Sequence, residues 1–163
     1  MKAGLKNENL MPVILTKFKD LWPYYILQSL LASLAIFILI LALTDKKIVV
    51  ISTMGATSFI VFAMPQTVSV KTKNVIGGHP IGLGCGAIFF LMQLPAYISY
   101  LITIAIAIYL MAALGLEHPP APGTAPAVAM NKVSIDVFLT IMPGAVILSQ
   151  TRYYPMHHLK DLV

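Results

Sequence analysis

The chain has 163 residues, of which 58% are hydrophobic and 10% are charged, and its formal net charge is +5. An average soluble domain carries roughly 25% charged residues, so this composition excludes a soluble globular domain and a disordered chain. A single cysteine excludes an intramolecular disulfide. The charged residues are clustered, and the uncharged segments between them are long enough for transmembrane helices. The composition therefore predicts a polytopic membrane protein.

The chain divides into one membrane domain with a short segment at each end. We predict a cytoplasmic N-terminal arm (1–20), a single transmembrane domain (21–154) and a short C-terminal tail (155–163). The first membrane helix is predicted over 24–43, after an aromatic cluster typical of a membrane interface. No small-residue cleavage site follows it, so we expect this helix in the mature protein.

The second predicted span has an unusual beginning. Residues 48–51 are all β-branched, which favours extended backbone. Ser52 or Thr53 can cap a helix that starts in the small-residue segment after them. We therefore predict an extended entry into the bilayer and a helix that begins near Gly55, inside the membrane. The alternative is one ordinary span whose small residues serve helix packing.

The rest of the chain is predicted as one connection and four helical elements. A segment with three prolines in four positions, 119–122, cannot be regular helix interior. In chain order the elements are a polar connection (65–80), a short third span (81–94), a fourth helix (96–114), a short half-helix (124–130) and a last span (135–150).

A weak internal repeat appears at an offset of 68 residues. The shift carries 24–43 onto 92–111, and Gly55-Ala56-Thr57 onto Gly123-Thr124-Ala125. Three spans separate the copies, so the second copy would be inverted, and interrupted helices in matching positions indicate a transport site near the bilayer midplane. The predicted fold is an all-α polytopic membrane protein with about six membrane elements in a 3+3 inverted repeat; chance similarity between the halves is the alternative.

The small residues at the two related positions predict an anion site. The first N–H groups of a helix have no intrahelical partners and lie at the positive end of the helix dipole. A helix that begins inside the bilayer can therefore bind a small inorganic anion without a buried lysine. The predicted substrate-binding residues are Gly55, Ala56, Thr57, Ser58, Gly123, Thr124 and Ala125.

Two histidines that each precede a proline are candidates for gating or proton exchange. They are His79 and His118, the second with Glu117 beside it. Ionisable residues at membrane depth usually pair or mark a pathway, and histidine changes charge near neutral pH. The alternative places both histidines in interfacial turns. These three residues could also ligate a metal, but they have no local ligand spacing, so we predict no metal site.

Several ordered blocks of this sequence resemble the HPP family of small integral membrane proteins. The blocks are Gly55-Ala56-x-Ser58, Pro65 with Ser69 after it, Asn74-Val75-Ile76-Gly77-Gly78-His79, His118-Pro119-Pro120-Ala121 and Gly123-Thr124-Ala125. The resemblance covers roughly residues 20–150 and adds Asn74, Gly77, Gly78, Pro119 and Pro120 as motif residues. Pro122 is a departure, since many members read His-Pro-Pro-Ala-Gly-Ala-Thr-Ala.

The resemblance implies a multi-pass protein of the bacterial inner membrane that is related to nitrite-transporting members. With a cytoplasmic N-terminus the inner side holds eight lysines and arginines and the outer side three, which fits the positive-inside rule. We expect a transporter or channel for a small monovalent anion, most simply nitrite. The alternatives are a non-transporting membrane scaffold or regulator and a histidine-based metalloprotein.

The sequence also predicts which partners and chemistries are absent. It has no nucleophile motif, phosphate-binding loop or carboxylate pair for acid–base catalysis, so we expect no enzyme and no cofactor. We expect the lipid bilayer and a small inorganic anion as partners, and no nucleic acid. The glycine-rich faces are compatible with a homo-oligomer.

Overall fold

The computed structural model describes residues 10–41, 47–130, 135–151 and 159–162, and these ranges contain helices and no strand. The helices, in chain order, are α1 (Leu10–Leu41), α2 (Lys47–Ala63), α3 (Thr72–Leu91), α4 (Ala96–Leu114), α5 (Thr124–Met130) and α6 (Ile135–Thr151). Two short 3₁₀ turns, Val68–Val70 and Ala121–Gly123, lie in the connections.

Three of these helices are long and apolar enough to cross a membrane. They are the stretch Leu15–Ile38 of α1, all of α3 and all of α4. The apolar stretches Ser52–Ala63 of α2 and Val137–Thr151 of α6 are shorter. Only 6% of the most apolar window of α1 is buried within the protein. Large apolar side chains exposed on this scale suit contact with lipid rather than with water. The prediction of an all-α membrane protein is confirmed.

α2 is one continuous helix, so the predicted extended entry at 48–51 and the predicted helix start near Gly55 are both wrong. Backbone N–H and C=O groups in lipid need partners within the protein, and a helix provides them locally. This requirement outweighs the modest preference of β-branched residues for strands. Gly55 lies in the helix interior, beyond the first four N–H groups that lack intrahelical partners.

α3 begins at Thr72, so the second half of the predicted polar connection is helical instead. His79 and Pro80 lie inside this helix, which also corrects the predicted third span, 81–94. Pro80 has no N–H to donate to the Ile76 carbonyl one turn earlier, and membrane helices tolerate such a gap when neighbouring segments pack against it.

The remaining boundaries agree well with the sequence. α4 and α5 have the predicted bounds, and α6 extends one residue past the prediction. α1 spans Leu10–Leu41, so it includes part of the predicted N-terminal arm, and the predicted end at Leu43 lies outside the described residues.

α3 is the central helix of the domain, packing against α4, α5 and α6. In addition, α1 packs on α2, α2 on α6, and α4 on α5, and α1 also touches α6. Two clusters of buried side chains fill the interfaces. The first is Met54, Val61, Phe62, Val70, Leu83, Val128, Val137, Ile141, Leu148 and Leu159. The second is Cys85, Ala107, Met111, Ala121 and Ala125.

Glycines spaced one turn apart give α3 a flat face. This face lies against α5 and against the residues just before α5. A Cβ at Gly82 would lie 2.5 Å from the Ala121 carbonyl oxygen and would also overlap the Thr124 hydroxyl. A Cβ at Gly86 would lie 2.5 Å from the Ala125 carbonyl oxygen. The backbones approach each other as closely as small residues permit in membrane helix pairs.

The segment Leu159–Leu162 packs against α1 and α2. The Gln28 side-chain amide donates to the Phe62 and Lys160 carbonyls at 2.5 and 2.9 Å, and the Leu162 N–H donates to the Ala63 carbonyl at 2.8 Å. The Lys160 ammonium lies 4.5 Å from the centre of the Tyr24 ring. These contacts attach part of the predicted C-terminal tail to one end of the bundle.

Gly82→Ala is expected to destabilise the domain by about 1–3 kcal/mol, because the new methyl group meets backbone that cannot move aside. Thermal unfolding in detergent micelles measures this as a fall in Tm of roughly 2–4 °C per kcal/mol. Gly84→Ala is the matched control, since a Cβ there meets nothing within 4 Å. Equal Tm values for the two variants would contradict the close packing of α3 on this segment.

Candidate functional site

α2 presents a buried hydroxyl to the interior of the domain. The Thr57 side chain is fully buried, and its Oγ1 lies 3.0 Å from the Thr53 carbonyl oxygen one turn earlier. Its neighbour Ser58 faces α1 and donates to the Ala32 carbonyl at 3.0 Å. The two adjacent hydroxyls therefore serve different interfaces.

α3 brings His79 to the same hydroxyl. His79 is 0% exposed, and its Nε2 lies 3.2 Å from Thr57 Oγ1. Its Nδ1 is buried and has no hydrogen-bond partner among the described residues. A buried polar atom without a partner is unfavourable by about 1–3 kcal/mol, which makes this nitrogen a candidate contact for a proton or a solute.

The connection between α4 and α5 brings the second histidine. Gly115, at φ 62°, ends α4 in the left-handed conformation that glycine adopts without strain, and the Leu116 N–H donates back to the Met111 carbonyl at 2.9 Å. The Asn74 side-chain amide donates to the Glu117 carbonyl at 3.0 Å. α3 thus holds the connection just before His118.

His118 completes the cluster from the opposite side. Its Nε2 lies 3.2 Å from Thr57 Oγ1, and its Nδ1 lies 2.8 Å from the Ser69 carbonyl oxygen. Because a carbonyl only accepts, Nδ1 carries a hydrogen. The two imidazole rings meet edge to face, with centroids 5.2 Å apart. Burial lowers the pKa of His118, and its hydrogen bond to Ser69 partly offsets that effect.

We call Thr57, His79 and His118 the His–Thr–His triad. All three side chains are buried. The side chain of Glu117 is exposed, and among the described residues it is the Glu117 backbone carbonyl that makes a hydrogen bond, with Asn74. No third His, Cys, Asp or Glu joins the two histidines among the described residues. The triad can donate hydrogen bonds, accept them and hold a proton.

The predicted anion-site residues lie around the triad in different settings. Gly55 borders an open groove between α1 and α2, and Ala56 is exposed. Thr124 and Ala125 are buried against α3, and the Thr124 hydroxyl donates to the Ala121 carbonyl at 2.6 Å. Gly123 is exposed. Thr57 is the predicted residue whose side chain reaches both histidines.

Sequence reasoning missed how the triad is assembled. Thr57 was predicted to touch an anion and not to join two histidines. Asn74 was predicted only as a motif residue, and its amide in fact holds the Glu117 carbonyl just before His118. Ser69 contributes a backbone carbonyl, for which no side-chain pattern gives a signal.

A comparison with known protein families decides the relationship of this chain. The family model described as "HPP, transmembrane region" matches residues 19–152. The chain belongs to the HPP family. No curated protein and no solved structure gave a match.

The geometry gives the His-Pro-Pro motif of this HPP protein a physical role. His118 points inward, Pro120 is buried, and Pro119 is exposed. The prolines restrict the backbone to a turn in which the Ala121 N–H donates to the His118 carbonyl at 2.9 Å. The motif therefore fixes His118 at a bend and leads the chain directly into α5.

His118→Leu is expected to destabilise the protein by about 1–3 kcal/mol, because it leaves the Ser69 carbonyl without the imidazole donor. Thermal unfolding in detergent checks this. Glu117→Gln is the matched control, since only the backbone carbonyl of Glu117 makes a contact. A wild-type Tm for His118→Leu would show that the imidazole contacts add nothing to stability.

Proposed function

We propose that this HPP protein transports a small monovalent anion across a membrane, and that nitrite is the first anion to test. The observation that carries the proposal is the His–Thr–His triad, a buried polar cluster in a helical domain with apolar lipid-facing surfaces. Polar and ionisable groups inside membrane domains are unfavourable and usually mark a substrate or proton pathway. Nitrite comes from the resemblance to nitrite-transporting members.

The chemistry of the triad suits a small anion. A neutral imidazole has no permanent charge, and a protonated one is a cation, so the histidine pair can hold an anion while it carries a proton and release the anion when the proton leaves. None of the described side chains of α2, α5 and α6 is a lysine or arginine. Among the buried side chains that the structure describes, the two histidines are the ones that can carry a positive charge.

The helix packing supports the proposed inverted repeat of α1–α3 and α4–α6. Exchanging the first half for the second maps the pair α1 and α2 onto α4 and α5. Under the same exchange, the contact of α2 with α6 becomes a contact of α5 with α3. The contact of α1 with α6 becomes a contact of α4 with α3. All of these helix pairs are in contact. A two-fold relation between the halves would produce this pattern. We propose six membrane elements in a bacterial inner membrane, with the N-terminus on the cytoplasmic side.

Nitrite uptake into proteoliposomes tests the proposal. We expect uptake above that of protein-free liposomes, and a decrease of about tenfold or more in His79→Ala and His118→Ala, corresponding to at least one lost polar contact. Thr103→Val is the control, because Thr103 is also buried and donates to the Ser99 carbonyl in α4. Uptake no faster than in protein-free liposomes would contradict nitrite transport.

The small-residue positions need a separate test. Gly55→Leu and Gly123→Leu place a large side chain at two residues where a Cβ meets nothing within 4 Å, so both variants are expected to fold. If these residues border the anion pathway, we expect nitrite uptake to fall several-fold at an unchanged Tm. Wild-type uptake in folded protein would remove them from the proposed site.

A further inference from the structure

The hydrogen bonds around Thr57 can be counted, because each partner has a fixed capacity. A hydroxyl has one hydrogen and two lone pairs. Thr57 Oγ1 lies within hydrogen-bond distance of three atoms, the Thr53 carbonyl oxygen and Nε2 of both histidines. Its one hydrogen can go to the carbonyl or to an unprotonated imidazole nitrogen, and not to both.

The direction of the Thr57 hydroxyl therefore depends on the protonation of His118. When His118 is neutral, its hydrogen is on Nδ1 toward Ser69, so its Nε2 accepts from Thr57. When His118 is protonated, its Nε2 donates to Thr57, and the hydroxyl turns to the Thr53 carbonyl. In both states Thr57 and His118 have hydrogen-bond partners, and the states differ by the added proton and by rotation of one hydroxyl hydrogen.

His79 has the same tautomer in both states. The Thr57 hydrogen is used elsewhere in each state, so the hydroxyl oxygen can only accept from Nε2 of His79. Neutral His79 then carries its hydrogen on Nε2, and its Nδ1 presents a lone pair. That nitrogen is the one without a partner, so it is a second place for a proton or for a hydrogen-bond donor.

Among the described residues, no other side chain that could carry a charge near neutral pH is buried beside Thr57. The described side chains of α2, α5 and α6 include no titratable group, so the group that faces His79 across the packing is His118. Lys71, Lys73 and Glu117 are exposed, and Tyr97 and Tyr109 of α4 are exposed too. Tyr100 is half-buried, and Cys85 is buried on α3 beside α4. Two charged imidazoles this close would repel each other, so the pair holds one proton more readily than two.

We propose that the His–Thr–His triad binds one proton together with one transported anion, with the Thr57 hydroxyl turning between His118 and Thr53 as the proton arrives and leaves. The proposal rests on the transport function proposed above. The proton comes from water on the side where the anion enters and is released with it on the other side. A monovalent anion and a proton together carry no net charge, so the complete cycle is electroneutral.

Proteoliposomes that contain a pH-sensitive dye test the coupling. With nitrite outside and the membrane potential set by potassium and valinomycin, the wild type is expected to take up one proton per nitrite above the protein-free background. Its rate of nitrite uptake is expected to be the same at zero potential and at about 100 mV, because an anion that moves with a proton carries no net charge across the membrane. An anion that moves alone would respond to such a potential. Nitrite uptake without protons, or a rate that follows the potential, would overturn the coupling and leave the proposed transport intact.

Substitutions at Thr57 test the switch. Thr57→Val keeps the shape and removes the hydroxyl, so nitrite and proton uptake are expected to fall together by about tenfold or more. Thr57→Ser is expected to restore both. Thr103→Val is the matched control, because it removes a buried hydroxyl that also donates to the carbonyl one turn earlier. Wild-type coupling in Thr57→Val would overturn the role of the hydroxyl.

Nitrogen NMR of ¹⁵N-histidine-labelled protein gives a readout that needs no transport. At neutral pH we expect a hydrogen on Nδ1 of His118 and a bare Nδ1 on His79, and on acidification the uptake of one proton by the pair. Thr57→Val is expected to alter the Nε2 signals of both rings. A hydrogen on Nδ1 of His79 at neutral pH, or two histidines that titrate independently of Thr57, would overturn the triad. Absence of nitrite uptake by the wild type with the expected NMR result would contradict the proposed function and support the proton switch.

Discussion

The rest of the structure depends on the close approach of α3 to the segment that joins α4 to α5. Gly82 and Gly86 have no side chains to separate the backbones, and the Ala121 and Ala125 carbonyls occupy the space that two methyl groups would fill. Because this segment lies against α3, the His118 that precedes it reaches the interior beside His79. The glycines of α3 and the segment that begins with His-Pro-Pro are therefore two sides of one contact.

That contact encloses polar groups, and the hydrogen bonds that they make go to neutral partners, while Nδ1 of His79 has no partner among the described residues. Thr57 joins both imidazoles, the Ser69 carbonyl accepts from His118, and Asn74 holds the Glu117 carbonyl. A lysine or carboxylate in the same place would require a buried countercharge. A hydroxyl between two histidines requires none, and a change in protonation needs only a small rearrangement.

The sequence predicted the helices best where apolar length and prolines mark their ends, as in α4 and in the proline-rich segment before α5. It failed at 48–51, because the preference of β-branched residues for strands is a local property, whereas the need to pair backbone groups in lipid is imposed from outside. The start of α3 was misplaced because polar residues such as Asn74 suggested a connection, although this side chain faces the interior. The two histidines were identified, but the contact that joins them was not.

The triad draws its members from both halves of the proposed repeat. Thr57 and His79 belong to α2 and α3 of the first half, whereas His118 enters from the chain between α4 and α5 of the second. Carriers with repeated halves work by moving one half against the other around a fixed site. A movement of about 1 Å between the halves would break the 3.2 Å contacts of Thr57 with the two histidines. In such a cycle the proton would be held while the halves are in this arrangement and released when His118 moves away, which would tie protonation to the position of the halves.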